Sequence, residues 1–312
     1  MGSLTLARLA AFFAVCLAWS SHLLAEDVAR LDKTLYSPPQ KLAQIAVIID
    51  DLGIRLEQDL LVLALPGAIT NSILPRAPHT HRIAALAARL GKEVMIHIPM
   101  EAVSYGKLDA GGLTSEMAYL EYKQRVEAAI DAVPEAVGIN NHMGSLLTSD
   151  TERMTWLMEI IEAQTDLYFV DSRTSANSVA LHQARNSGVP SLSRDIFLDN
   201  EADENAIERQ FDALIRVAKR KGQAIAIGHP NKETIAVLER RLPELAKLGV
   251  ELVPVSQLLQ PKLKAVPQPA PIEPEPETIR LAKYSAYEDF ILQSGMLESR
   301  EPVRFFNRVS PP

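Results

Sequence analysis

Five short apolar runs in this chain end in residues that can bind a metal or move a proton. They are IAVIIDDLG (Ile45 to Gly53), EVMIHIPME (Glu93 to Glu101), AVGINNHMGS (Ala136 to Ser145), LYFVDSRTS (Leu167 to Ser175) and AIAIGHP (Ala224 to Pro230). Asp50, Asp51, His97, His142, Asp171 and His229 stand at or just beyond the ends of these runs. One carboxylate and two imidazoles make a three-ligand site with a position open for water, as catalytic zinc requires. Such an ion polarises a carbonyl and lowers the pKa of water. A second carboxylate can act as base, and a separate histidine can protonate a departing amine. These are the parts of metal-assisted amide hydrolysis. Each residue alone has a plainer reading: Asp50-Asp51 as a helix-capping pair, His97 as a structural strand-end histidine, and Pro230 as the start of a helix.

The runs are rich in Val and Ile, which suits strands buried on both faces. Helical patterns separate most of them, so the strands are expected to be parallel, with their ligands beyond the carboxyl ends. Strands are predicted near 45–49, 69–74, 93–98, 136–140, 167–170, 189–193, 223–228 and 250–255. Helices are predicted near 55–65, 79–90, 115–132, 150–164, 175–187, 202–221, 231–247 and 256–259. Ser149 and Glu152 fit a capping box at the start of the fourth. Seven or eight βα units in so short a stretch imply a closed or nearly closed α/β barrel. A doubly wound open sheet is the alternative, but no Gly-rich loop follows the first strand.

Hydrophobic residues at 47% of the 312 supply a sizeable core, and a net charge of -7 without a basic stripe excludes nucleic acid as a partner. Residues 1–25 have the layout of a secretory signal peptide. Arg8 precedes an apolar core from Leu9 to Trp19, and small residues lead to Ala25. Export to the periplasm or beyond, with no membrane attachment after signal removal, is the expectation; an uncleaved anchor is the alternative. Cys16, the chain's one cysteine, lies inside that segment, so any metal in the mature protein must rest on His and carboxylate. Residues 26–41 read as a leader and 42–259 as the folded domain. Nine of the 20 prolines fall after Gln260, so 260–312 reads as a Pro-rich linker and largely disordered tail, with room for a short helix or a contact to an envelope protein around Tyr284 to Met296.

The order IIDDLG, IHIPME, NNHMGS, FVDSRT and IGHP resembles the divergent polysaccharide deacetylases, a branch of the NodB-like carbohydrate esterases. The likeness covers about Ile45 to Leu259. It implies a distorted (β/α)7-8 barrel, an envelope setting, one divalent metal (zinc foremost) and an N-acetylated polysaccharide or peptidoglycan as substrate. By this resemblance Asp50 matches the catalytic base and His229 the catalytic acid. Asp51 and His97 match metal ligands. The family's second histidine, four residues after the first, is replaced by Glu101, so His142 is the expected third ligand and Glu101 the alternative. The arginine and aromatic residue expected near NNHMGS are absent. Asn140, Asn141, Ser145, Asp171 and Arg194 are the candidates for binding or orienting substrate. Asn140 and Asn141 also read as turn formers and Asp171 as a helix cap, while Arg194, which follows the sixth strand with Asp195 and Asp199, reads as an orienter of Asp50 or as half of a surface salt bridge. A non-catalytic protein that binds glycan or partners on the same barrel is the competing function.

Overall fold

Apolar runs that alternate with helices bury both of their faces only if the strands pair with one another and the helices cover the outside. The computed structural model describes residues 42–259 apart from 105–107 and 165, and has this architecture. The chain divides into two units, Met1–Gln260 and Pro261–Pro312, and every described residue belongs to the first. The signal, leader and tail readings lie outside the described residues.

The strands are β1 (Ala43–Leu52), β2 (Thr70–Ile73), β3 (Val94–Met100), β4 (Gly138–Met143), β5 (Tyr168–Asp171), β6 (Ser191–Ser193), β7 (Ile196–Phe197), β8 (Gln223–Gly228) and β9 (Val250–Leu252). They pair in the order β6-β5-β4-β3-β2-β1-β8-β7, with β9 beside β1. All of these ladders are parallel. Between them run α1 (Leu56–Ala64), α2 (Thr80–Arg89), α3 (Tyr119–Ala132), α4 (Thr151–Gln164), α5 (Ala180–Asn186), α6 (Glu204–Lys221) and α7 (Lys232–Arg241), and α8 (Val255–Leu258) follows β9. No helix among the described residues is long and apolar enough to cross a membrane.

The sheet closes on itself through two residues. β6 and β7 stand at opposite ends of the strand order, yet only Arg194 and Asp195 separate them. The Arg194 amide donates to Asp171 O at the end of β5, and the Asp195 amide donates to Ile225 O on β8, at 3.0 and 2.9 Å. Two consecutive peptides therefore join the two edges, leaving a seam with no ladder of its own.

The barrel interior is filled by alternate residues, as strand geometry requires. Ala46, Ile48, Met95, Tyr168, Val170, Ile225 and Ile227 form one buried cluster with Val253, Val255 and Leu258. The last three come from the segment around α8, which plugs the end where the strands begin. Gly138 makes room there for Tyr168, whose ring would stand 2.4 Å from a Cβ at position 138. The Tyr168 hydroxyl donates to Glu93, which also accepts from Thr70 Oγ1.

Three expectations need correction. β7 has no counterpart among the expected strands, because a two-residue strand carries no periodicity. The segment 250–255 is not a full barrel strand; Val250–Leu252 pairs with the first half of β1, in line with β2, and then turns into α8. The cap of α4 is Asp150, whose Oδ1 accepts from the Arg153 amide, while Ser149 ends a short 3₁₀ turn and donates back to Leu146 O.

Candidate metal and catalytic site

The alternation that fills the core with apolar residues continues to the carboxyl ends of the strands, where the residue types change. In β1 the inward series Ala46, Ile48 is followed by Asp50, and in β3 Met95 is followed by His97. In β4 Gly138 gives way to Asn140 and His142, and in β5 Val170 gives way to Ser172. In β8 Ile227 is followed by His229. The register pairs His97 with Asn140 across β3 and β4, and side-by-side partners share a face. A polar layer thus sits directly on the apolar one.

Asp51 breaks the alternation and still reaches the site. The β1–β2 pairing shifts register between Ile49 and Leu52, and Asp51 has φ 61°. A bulge with one residue in the left-handed region turns two consecutive side chains toward the same point. Met143 and Arg173, at the ends of β4 and β5, are also left-handed, at φ 52° and 50°. Non-glycine residues in this region cost free energy and gather at functional sites.

At the centre, Asp51 Oδ1 lies 2.9 Å from His142 Nδ1 and 3.2 Å from His97 Nε2. The two ring nitrogens are 3.1 Å apart. Asp51 Oδ1 is buried, yet the angles of these approaches leave it without a hydrogen bond. Ligand atoms of a tetrahedral zinc with bonds of about 2.0–2.2 Å stand about 3.3–3.6 Å apart, so a slight spreading of this triangle accommodates such an ion. The electrostatics agree. Burial alone would raise the Asp51 carboxyl, but His142 and His97 hold it far below the usual carboxylate range. Burial alone would lower His97, but the Asp50 and Asp51 charges and the Asn140 contact raise it. The group of residues favours positive charge at its centre.

The amide of Asn140 organises the surroundings. Its Oδ1 accepts from Ser72 Oγ at 2.6 Å and faces His97 Nδ1 at 2.8 Å. Its Nδ2 donates to Asp50 Oδ1 at 2.8 Å and to Ser172 Oγ at 3.2 Å. An acceptor at Nδ1 favours the His97 proton there and leaves Nε2 able to face an ion. Asp50 is 3% exposed, and its other oxygen stands 3.6 Å from His97 Nε2.

His229 arrives from the opposite side. Its Nδ1 pairs with Asp199 Oδ1 at 3.0 Å, and its Nε2 faces Asp51 Oδ2 at 3.9 Å. Asp199 also accepts from the His229 amide and from Thr234 Oγ1, so the carboxylate is fixed before it fixes the ring. Burial pulls the His229 pKa down, but the Asp199 hydrogen bond and charge, with Asp50 and Asp51, push it up to about 9. These contacts favour the doubly protonated ring.

Comparison with known proteins settles the kinship. The family model described as divergent polysaccharide deacetylase matches residues 47–259. The chain belongs to the divergent polysaccharide deacetylases. An uncharacterised protein of Haemophilus influenzae is 40% identical over 246 residues, covering 74% of this chain and 86% of its own length. The uncharacterised Escherichia coli protein YibQ is 40% identical over 223 residues, covering 72% and 69%. Among solved structures, the uncharacterised protein ATU2773 of Agrobacterium tumefaciens superposes with a TM-score of 0.68 at 25% identity, over 72% of this chain and 92% of that one.

In this member of the divergent polysaccharide deacetylase family Asp50, Asp51, His97, Asn140, His142 and His229 come together, and the other sequence candidates hold the walls. Glu101 Oε2 accepts from the Ser115 amide and hydroxyl, both at 2.7 Å; its carboxylate serves the loop after β3, and Asp51, His97 and His142 form the cluster able to hold an ion. Asn141 lies between the inward-facing Asn140 and His142, on the other face of β4, and accepts from the Ser172 amide while donating to Met143 O. Ser145 Oγ accepts from the Val103 amide. Asp171 takes the Arg173 amide and the Ser178 hydroxyl, a turn-closing role. Arg194 neither orients Asp50 by a hydrogen bond nor forms a surface ion pair; it donates to the carbonyls of Ser172 and Arg173. Sequence reasoning misses Ser72 and Asp109, and it places Asp199 only among the rim residues after the sixth expected strand, without its role at His229. Asp199 follows the short β7, and Asp109, whose Oδ2 lies 3.0 Å from His142 Nε2, sits in an irregular connection with no motif.

Proposed function

We propose that the chain is a zinc-dependent deacetylase that removes N-acetyl groups from a polysaccharide of the cell envelope. The observation that carries this reading is the triangle of Asp51 Oδ1, His97 Nε2 and His142 Nδ1, with a buried carboxylate on one flank and a protonated histidine on the other. An ion held by these three atoms would polarise the acetamide carbonyl and acidify the water that attacks it. Asp50, held through Oδ1 by Asn140, has Oδ2 available to take the proton from that water. His229 Nε2 gives a proton to the amide nitrogen as the C–N bond breaks, yielding acetate and the free amine. Asp199 keeps the ring aimed while this happens. Nitrogen and oxygen donors without a thiolate suit zinc. The layout of residues 1–25 supports a periplasmic setting, where an N-acetylated glycan such as peptidoglycan is the substrate at hand.

One observation favours a second reading, a non-catalytic glycan-binding protein. The arginine and aromatic residue expected beside NNHMGS are missing, and Asp50 is held by the neutral amide of Asn140. The deciding experiment strips the purified protein with a chelator, restores zinc, and measures acetate released from peptidoglycan and chitin oligomers. Release that appears only with metal supports the deacetylase. Glycan binding without acetate release on any substrate supports the second reading.

A further inference from the structure

His97 and His142 can both turn a lone pair toward one ion only if each holds its proton on the far ring nitrogen. For His97 the far nitrogen is Nδ1, and Asn140 Oδ1 receives it. For His142 the ring is reversed. Nδ1 faces Asp51 and His97, and Nε2 points away from them. Nε2 is buried and makes no well-aligned hydrogen bond, but Asp109 Oδ2 stands 3.0 Å from it, close and off the N–H line. The carboxylate is 54% exposed, so solvent covers its outer side.

The backbone explains how Asp109 gets there. The connection from β3 to α3 is pinned near its start. Leu113 bridges Met100, the Leu113 amide donates to Pro99 O, and the Glu101 amide donates to Leu113 O. The Glu101 side chain then grips Ser115. Gly111 lies against Arg76, whose Cδ would stand 2.8 Å from a Cβ there, which brings Asp109 over the β4 end. Glu101 occupies the place where a ligand was the alternative expectation, and there it holds the connection that carries Asp109.

We infer that Asp109 is a positioning residue for the metal ligand His142, accepting its Nε2 proton and so committing Nδ1 to the ion. The inference rests on the reading of Asp51, His97 and His142 as a metal site. Asp109 lies across the ring from the triangle, so it acts through His142 and does not join the ligands. A carboxylate in this place makes the imidazole a stronger donor, and loss of such partners typically weakens metal binding about 10- to 100-fold.

Metal-free full-length protein titrated with Co²⁺, followed by visible absorption, and with Zn²⁺ against a chromogenic chelator, tests this directly. Asp109→Ala is expected to weaken both ions about 10- to 100-fold and to alter the cobalt bands. Asp109→Asn, which retains an acceptor oxygen, is expected to recover part of the loss. Glu116→Gln, removing an exposed charge from the same connection, is expected to bind as wild type. If Asp109→Ala binds within about twofold of wild type, or if Glu116→Gln loses as much as Asp109→Ala, the positioning role is wrong while the metal site stands. If the wild-type protein binds neither ion, the metal-site reading fails first.

Discussion

At the scale of single residues, the amide of Asn140 touches both halves of the proposed chemistry. Its four hydrogen bonds tie the proposed metal ligand His97 to the proposed base, Asp50, through one planar group. Asp199 does the equivalent for His229. Neither Asp50 nor His229 belongs to the proposed metal triangle, which separates their loss from loss of metal. Asp50→Asn and His229→Ala are each expected to keep the bound ion and the fold while lowering acetate release by roughly 10²- to 10⁴-fold. Metal content and acetate release measured on the same preparations check this, and wild-type rates in both variants would remove the assigned roles. Much of this layer is legible in the sequence, because several buried strands that each end in Asp or His signal a site together, where any one of them alone has a plainer reading. The partners that orient those groups are harder to see. Ser72 and Asp199 show their use only once the strands are paired, and Asp171 resembles a site residue until the alternation along β5 is followed outward.

At the scale of elements, the turn from β1 to α1 carries a cost with a pH signature. Asp59 in the first turn of α1 is fully buried; its Oδ2 accepts from the Gly53 amide at 3.0 Å, and its Oδ1 has no partner. Burial pushes its carboxyl up from 3.8 to about 6 against the opposing Gly53 hydrogen bond and Arg55 charge. A carboxyl with a raised folded-state pKa favours folding while protonated. The native state therefore loses stability as pH rises from about 4 through 6, and little more is lost above that. Asp59→Asn cannot ionise and is expected to lack this loss. Urea unfolding at pH 4 and pH 7 checks it: the stability of the variant relative to wild type should rise by about 1–3 kcal/mol between the two values. An unchanged difference would mean that Asp59 ionises normally. The elements themselves follow largely from apolar runs and helical periodicity. The exceptions are short or irregular. β7 is two residues long, and the bulge in β1 arises from pairing with β2, which no local pattern encodes.

At the scale of the whole molecule, closure of the sheet through Arg194 and Asp195 brings β1, β3, β4 and β8 around one opening, so ligands far apart in sequence meet. The matched family region ends at Leu259, and every residue seen to meet at this opening lies before that point. Truncation after Gln260 is expected to shift Tm by less than about 3 °C, the change that roughly 1 kcal/mol produces in a domain of this size. A larger fall in a thermal melt would mean that the tail contributes to the folded domain. The barrel is legible as a class because parallel strands with intervening helices admit few architectures. Its seam is not, since closure depends on two peptides that carry no special side-chain signal. The reading of the molecule as a metal enzyme depends most on β4 supplying the third ligand. Elemental analysis of zinc-equilibrated protein after dialysis tests that point, with His142→Ala and Glu101→Ala beside wild type. One zinc per chain is expected in wild type and in Glu101→Ala, with most of it lost from His142→Ala. Full zinc in His142→Ala together with its loss from Glu101→Ala would contradict the triangle and place the third ligand back on the segment after β3.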